Sequence, residues 1–255
     1  MKKFLMTALV FATMIFAGCG GNQQSKVIIG IAESPISYRN EQGKFVGFEV
    51  SLAEETAKRM GVKAEFKLID WDKKEAELDS GKIDMIWNAL DITPERQEIM
   101  LFSDPYMDNR QVIFVLKGNP QNVKSENDFA EKTIGAKAGT TAENYINKNE
   151  KLKSSLAGFK TCKTDEETFK ALEDGEIDAL VCDEIIGRFL MNKQRGKFEV
   201  VGTTVGSAGK MGIGFRKNDV ELRDRVQKAF DEIVKDGTAK KISEEWFGDD
   251  LIGQN

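Results

Sequence analysis

Leu78-Asp79-Ser80-Gly81-Lys82-Ile83-Asp84-Met85-Ile86 is echoed 94 residues later by Leu172-Glu173-Asp174-Gly175-Glu176-Ile177-Asp178-Ala179-Leu180, and this internal repeat decides the fold class. Each copy reads as the end of an amphipathic helix, an acid-rich turn, a Gly suited to a left-handed cap, and the start of a short apolar strand. The strands run into polar residues, Trp87-Asn88-Ala89-Leu90-Asp91 in the first copy and Cys182-Asp183-Glu184 in the second. Upstream the echo continues. Val27-Ile28-Ile29-Gly30-Ile31 leads into Ala32-Glu33-Ser34, and Thr133-Ile134-Gly135-Ala136 into Lys137-Ala138-Gly139-Thr140-Thr141. Strands alternating with helices predict an α/β protein whose mainly parallel sheets carry helices on both faces and place ligands beyond the carboxyl ends of the strands. Two such lobes facing each other bring these polar strand ends into one cleft.

The remaining segments fit this plan. Val50, Ala53, Ala57 and Met60, followed by Gly61, give one helix an apolar face and a stop. Thr93-Pro94-Glu95-Arg96 reads as an N-cap, a Pro at the first helical position and a first turn, which sets Arg96 near the polar strand ends. Gln111 to Leu116 and Gly209 to Arg216 are strand-like and are the candidate crossings between lobes. Leu222, Val226, Phe230 and Ile233 recur at helical spacing and predict a C-terminal helix that covers the first lobe. The expected boundaries are residues 26–108 for the first part of lobe 1, 109–208 for an inserted lobe 2, and 209–255 for the return to lobe 1.

At the N-terminus, Met1-Lys2-Lys3 precedes an apolar run from Phe4 to Ala17 that ends in Gly18-Cys19-Gly20-Gly21, the layout of a cleaved secretory signal over residues 1–18. Ala17 and Gly18 before Cys19 resemble a bacterial lipobox, with Phe16 where an aliphatic residue is usual, so Cys19 is the expected lipidation site. Residues 19–25 then form a polar tether between a lipid anchor in the membrane and the folded body, which sits outside the cytoplasm. Charge is −5, from 37 Lys and Arg against 42 Asp and Glu with the signs interspersed, so no basic stripe invites nucleic acid. With no His, and Cys162 and Cys182 outside any CxxC spacing, neither a metal site, a cofactor nor a Cys-His catalytic pair is expected.

Further motifs carry a resemblance over nearly the whole mature chain. Gly43-Lys44-Phe45-Val46-Gly47-Phe48-Glu49-Val50, Ile69-Asp70-Trp71-Asp72, Ile92 through Arg96, Phe102-Ser103-Asp104-Pro105-Tyr106 and the closing Trp246-Phe247-Gly248 occur in the order and spacing of a known family. The chain resembles the family 3 extracellular solute-binding proteins, the polar amino-acid receptors of bacterial ABC importers. That resemblance implies a type II periplasmic-binding-protein-like fold, in which two α/β lobes with mixed, mainly parallel sheets are joined by two hinge strands. It also implies a free amino acid as ligand, a membrane permease and ATPase as partners, a monomeric state and no catalysis.

Residue by residue, the resemblance implies that Arg96 binds the α-carboxylate, helped by Thr140 and Thr141, and that Asp183 takes the α-ammonium beside the carbonyl of Ala89. It makes Trp71 an aromatic platform and Lys137 a contact to the ligand side chain, with Glu33 a further candidate in the loop from Ala32 to Tyr38. The chemistry agrees. A dry cleft must match both charges of an amino acid, and guanidinium offers a fork for carboxylate. Taken singly, an Arg in a first helical turn is ordinarily solvated and Gly-Thr-Thr is ordinarily an N-cap.

Asp91 stands where the family usually has Thr or Ser, and an ionised Asp can only accept. It is expected to turn toward the ammonium, to pair with Arg96, or to mark a more cationic ligand. Basic amino acids such as arginine or lysine and polar neutral ones such as glutamine or cystine are both expected ligands. Ala89 replaces a common Gly, and Ile36 a common aromatic residue. Cys162 and Cys182 are expected as free thiols on strands separated by a third. Two alternatives share the pocket: a dehydratase-like cleft enzyme, which needs a carboxylic acid of raised pKa, and a surface lipoprotein that presents ligand without a permease.

Overall fold

A computed structural model describes residues 25–248 and 250–252; the expected signal segment and Cys19 lie outside them. In chain order the elements are β1 (Lys26–Ile31), β2 (Ser37–Arg39), β3 (Phe45–Gly47), α1 (Phe48–Arg59), β4 (Lys63–Leu68), α2 (Lys74–Asp79), β5 (Met85–Ile86), α3 (Pro94–Ile99), β6 (Met100–Phe102) and β7 (Met107–Asn109). There follow β8 (Gln111–Leu116), β9 (Thr133–Lys137), α4 (Thr141–Lys148), α5 (Glu150–Ser155), β10 (Gly158–Cys162), α6 (Asp165–Glu173), β11 (Ala179–Asp183), α7 (Glu184–Lys193) and β12 (Phe198–Thr204). The chain closes with β13 (Gly209–Met211), β14 (Gly214–Arg216), α8 (Val220–Lys235) and α9 (Thr238–Phe247).

These strands form two five-stranded sheets of the same design. The first has the order β4-β1-β5-β14-β6 and the second β10-β9-β11-β8-β12. In each, three parallel strands are followed by one antiparallel strand, β14 or β8. The sequence repeat has a packing cause. A Cβ on Gly30 of β1 would lie 2.5 Å from Cδ1 of Ile83, and a Cβ on Gly135 of β9 would lie 2.4 Å from Cδ1 of Ile177. Both glycines therefore let the following helix-strand turn close onto the sheet. Asp84 then accepts from the backbone N–H of Ile28, and Asp178 from that of Thr133, each at 2.8 Å. Gly81 and Gly175 adopt the left-handed conformation their turns require, with φ of 72° and 71°.

Each sheet is covered on both faces. In the first lobe α1, α8 and α9 bury one face through Phe48, Leu52, Trp87, Phe230 and Ile233, while Leu78, Ile83, Ile86 and Leu90 fill the other. In the second, Phe114, Phe169, Leu172 and Leu190 lie on one side and Val115, Phe129, Ile134 and Ile146 on the other. The C-terminal helix α8 buries Val226, Phe230 and Ile233 against the first lobe, as its spacing predicts.

The crossings differ from the expectation. Gln111–Leu116 is not a crossing: β8 lies wholly inside the second sheet, paired with β11 and β12. The link is instead a two-stranded antiparallel ribbon, in which Met107, Asp108 and Asn109 of β7 face Met211, Lys210 and Gly209 of β13. The stretch from Gly209 to Arg216 is likewise two strands, β13 in the ribbon and β14 in the first sheet. Cys162 and Cys182 are free and buried, on β10 and β11, with β9 between them.

Candidate functional site: an interlobe cleft

The polar strand ends do converge. Trp71, on a short 3-10 turn capped by Asp70, Ala89 after β5, Lys137 at the end of β9, Thr140 and Asp183 at the end of β11 all line one cavity between the lobes. Ser34, Asn88, Asp165 and Ile186 complete it. Its volume is about 20 Å3, room for one water and less than any amino acid needs. Arg96, Asp91 and Thr141 line an adjoining, more open recess of about 500 Å3 together with Gln111.

Arg96 is placed by its helix start. The hydroxyl of Thr93 accepts from the Arg96 N–H at 3.3 Å, and Pro94 opens α3. The guanidinium is buried and spans the lobes, with Nη1 donating to the Asp91 carbonyl at 2.9 Å and Nη2 to the Gly139 carbonyl at 3.2 Å. Glu75 lies 3.8 Å from its Nε. Lys74 makes a second bridge, its Nζ donating to the carbonyls of Trp71 at 3.1 Å and Gly139 at 3.0 Å. Burial, and then the charge of Arg96, push the Lys74 ammonium below its usual pKa despite the pull of Glu75. Gly139 is held at φ 70°, and a Cβ there would lie 3.1 Å from Cα of Asp72, so the lobes meet backbone to backbone.

Asp91 and Asp183 form the electrostatic centre. Asn109 Nδ2 donates to Oδ1 of Asp91 at 2.6 Å and also to Oδ1 of Asp183. Gln111 Nε2 donates to the same two carboxylates, at 3.4 Å to Asp91 and 2.6 Å to Asp183. Asp91 therefore turns toward Asp183; its carboxylate does not pair with Arg96, which takes its backbone carbonyl. Burial and the neighbouring Asp91 charge raise the Asp183 carboxyl to a pKa of about 7, against the opposing bonds from Asn109 and Gln111.

The floor of the cleft is strained and braced. Ala89 has φ 47°, a left-handed conformation that disfavours any Cβ and explains why Gly is common there. Its N–H donates at 2.6 Å to Glu49, a fully buried acid on α1. Glu49 also accepts from the Tyr106 hydroxyl, from Asn88 Nδ2 at 3.4 Å and from Ser37 Oγ at 3.3 Å. Burial nonetheless raises its pKa.

On the opposite wall, Lys137 pairs with Asp165 at 2.9 Å and lies 5.7 Å from the Trp71 ring centre. Burial pulls the Lys137 pKa down, but the charge and hydrogen bond of Asp165 outweigh it and leave the group raised. Thr140 caps α4, accepting from the Glu143 N–H at 3.3 Å and donating to the Lys137 carbonyl at 2.7 Å. Glu33 is exposed, lies 3.4 Å from Arg39 and does not line the cavity. Ile36, fully buried, packs with the apolar core of the second lobe.

Among the described residues, Ser34 Oγ, Gln111 Oε1 and Thr141 Oγ1 are buried polar atoms without a hydrogen-bond partner, and all three ring this cleft. Such atoms are rare and costly, so three around one cleft mark a place for a polar ligand. Sequence reasoning missed Glu49, Lys74, Asn109, Gln111 and Asp165. Only Glu49 carried a signal, as the acid of the Gly47-Phe48-Glu49 motif.

A family model described as bacterial extracellular solute-binding proteins, family 3, matches residues 27–249. The chain belongs to this family. This family 3 protein is 32% identical over 231 residues to the L-cystine-binding protein TcyJ of Escherichia coli, covering 90% of the chain and 85% of the relative. Among solved structures it is similar to an ancestral arginine-binding protein bound to arginine, with TM-score 0.81, 36% identity, and coverage of 88% of this chain and 99% of that one. It is also similar to a substrate-binding protein of an ABC uptake transporter from Streptococcus pneumoniae with bound histidine. There the TM-score is 0.83 and the identity 31%, over 90% of this chain and 95% of that one. The family 3 protein thus has the type II periplasmic-binding-protein fold, two α/β lobes with mixed sheets joined by hinge strands.

Proposed function

We propose that this protein is the extracytoplasmic receptor of an amino-acid ABC importer, which closes its two lobes on a free polar or basic amino acid and then docks on a membrane permease and its ATPase. One observation carries the reading: charged groups of both lobes, Arg96 and Asp91 from one and Lys137 and Asp183 from the other, meet at a cleft where Ser34 Oγ, Gln111 Oε1 and Thr141 Oγ1 are buried without partners. Arg96 supplies a guanidinium for the α-carboxylate, with Thr140 and the unpartnered hydroxyl of Thr141 beside it. Asp183, with Asp91 next to it and the Ala89 carbonyl, receives the α-ammonium. Trp71 and Lys137 face the side chain, and Glu33 contributes at most from outside the cavity.

For an amino acid to reach Asp183 and Trp71 as well as Arg96 the lobes must part, because the inner cavity that those two line has only about 20 Å3. The bonds from Lys74 and Arg96 to Gly139 then open, and the carboxylate replaces the Gly139 carbonyl on Arg96. The β7–β13 ribbon is the hinge, with residues 26–108 and 209–255 on one side and 109–208 on the other. That relatives of this family are named for binding L-cystine, arginine and histidine supports an amino acid as cargo. The protein acts as a monomer, held to the membrane by lipid on Cys19; replacing Cys19 with Ser should release it from the membrane fraction.

Thermal unfolding of residues 20–255 against the twenty amino acids, cystine, ornithine and citrulline tests the reading. A ligand at 1,000 times its dissociation constant adds about 4 kcal/mol to the folded state, which raises the midpoint by several degrees. A shift confined to one or two amino acids is the expected result. No shift with any of them overturns the proposal.

A further inference from the structure

Lys74 has no part in the amino-acid site assigned above, yet it is buried more deeply than Arg96, at 2% exposure against 6%. A lysine is rarely buried so far unless its charge is paired and its donors are used. Lys74 opens α2, directly after the 3-10 turn that carries Trp71. Within its own lobe its Nζ donates to the Trp71 carbonyl at 3.1 Å and lies 3.1 Å from Glu75 Oε1. Across the cleft it donates to the Gly139 carbonyl at 3.0 Å. An ammonium has three N–H groups. All three are therefore spent on the protein, and the third only while the lobes are together.

Arg96 is in the opposite condition. A guanidinium has five N–H groups, and here Nη1 and Nη2 each give one bond to a carbonyl, that of Asp91 and that of Gly139, with Glu75 3.8 Å from Nε. Arg96 keeps donors to offer a carboxylate, whereas Lys74 would have to break a bond to do so. Once a carboxylate engages Arg96, Lys74 holds the Gly139 carbonyl alone. The glycine suits this contact. A Cβ at residue 139 would lie 3.1 Å from Cα of Asp72 and 3.4 Å from Lys74 Nζ, so the carbonyl reaches Nζ because no side chain props the lobes apart. When the lobes part, the freed N–H and carbonyl return to water, and neither is left buried and unpaired.

Resting on the receptor reading above, we propose that Lys74 is a positioning residue that latches the two lobes together through the Gly139 carbonyl and does not touch the ligand. Arg96 and Asp183 choose the amino acid. The latch sets how tightly any accepted amino acid is held, because apparent affinity scales with the fraction of the protein in its binding-competent form. A hydrogen bond to a charged group favours the formed state by about tenfold or more, so the latch biases the lobes toward closure before a ligand arrives.

Spin labels on cysteines replacing Glu95 and Lys148, an exposed pair across the rim that carries little energy, read the lobe separation by pulsed electron paramagnetic resonance. Residues 20–255 are used, in which Cys162 and Cys182 are buried. Without ligand the labelled protein shows a closed population. Lys74→Met, which keeps an unbranched side chain and removes all three donors, lowers the closed-to-open ratio by at least about fivefold. Gly139→Ala does the same from the other lobe, and the two together go no further than the stronger alone. In calorimetric titration with cystine, glutamine, arginine and histidine, Lys74→Met weakens each one that binds by a common factor and keeps their order. The latch is overturned by a ligand-free protein with no closed population, by a ratio in Lys74→Met within about twofold of the labelled parent, by fully additive effects of the two substitutions, or by a reordering of the ligands. Those results leave the receptor reading standing. A ratio that responds to Lys74→Met in a protein that binds no amino acid overturns the receptor reading and keeps the latch. Gly139→Ala decides alone if Lys74→Met does not fold.

Discussion

Arg96 of the first lobe donates to the carbonyl oxygen of Gly139 in the second, 3.2 Å away, and Lys74 donates to that same oxygen at 3.0 Å. Two cations on one lobe thus converge on a single backbone acceptor of the other. A ligand carboxylate, bearing a full charge, outcompetes a carbonyl for the guanidinium.

Arg96→Ala is therefore expected to weaken amino-acid binding by about 2 to 5 kcal/mol. Titration calorimetry checks it. Glu54→Gln, which removes an exposed acid 3.2 Å from Lys44, leaves affinity unchanged, and a loss at Arg96 of less than twofold contradicts the assigned role.

The raised carboxyl of Asp183 gives a pH signature with two opposite arms. An ammonium ligand needs the ionised form, so affinity is full above the folded pKa of about 7 and falls as pH drops through it, by about tenfold per unit. Stability without ligand runs the other way. The folded pKa stands above the unfolded value of about 3.9, so this group's contribution is complete below pH 4 and is lost as pH rises through 7. Asp91, Asp165 and Lys137 face the group and set the baseline, while Asp183→Asn removes both trends and weakens binding strongly.

Glu49→Ala removes the acceptor shared by Tyr106, Ala89, Asn88 and Ser37. Several buried donors are then left unpaired at about 1 to 3 kcal/mol each before relaxation. The midpoint of thermal or urea unfolding should fall by far more than for Glu49→Gln, which keeps an acceptor oxygen.

Ala89→Gly relieves the left-handed backbone at φ 47°. Relief of roughly 1 kcal/mol exceeds the added flexibility of the unfolded chain, so the unfolding midpoint rises by a few degrees. A lower midpoint contradicts the strain.

The repeat was legible because its cause is local: Gly30 and Gly135 each make room for an isoleucine, and Asp84 and Asp178 each cap a neighbouring strand. The Thr93 cap and the apolar stripe of α8 were legible for the same reason. The hinge was misread because β8 is a long apolar run, whereas β7 is only Met107-Asp108-Asn109, too short for periodicity to register. The orientation of Asp91 depends on Asn109 and Gln111, 18 and 20 residues away, and the Lys137 pair on Asp165, 28 residues away. No spacing rule announces contacts made by the meeting of loops.

Asn109 belongs to the ribbon that joins the lobes, and its side-chain amide also holds Asp91 and Asp183. The fulcrum therefore sits against the load, and the lobes are the long arms. Any rotation about the ribbon displaces the rim, where Glu95 meets Lys148 at 2.6 Å, further than it displaces this amide, because the rim lies farther from the axis. On the proposed function, whatever neutralises the two carboxylates acts at the short end of that lever, and the partner transporter reads the far end.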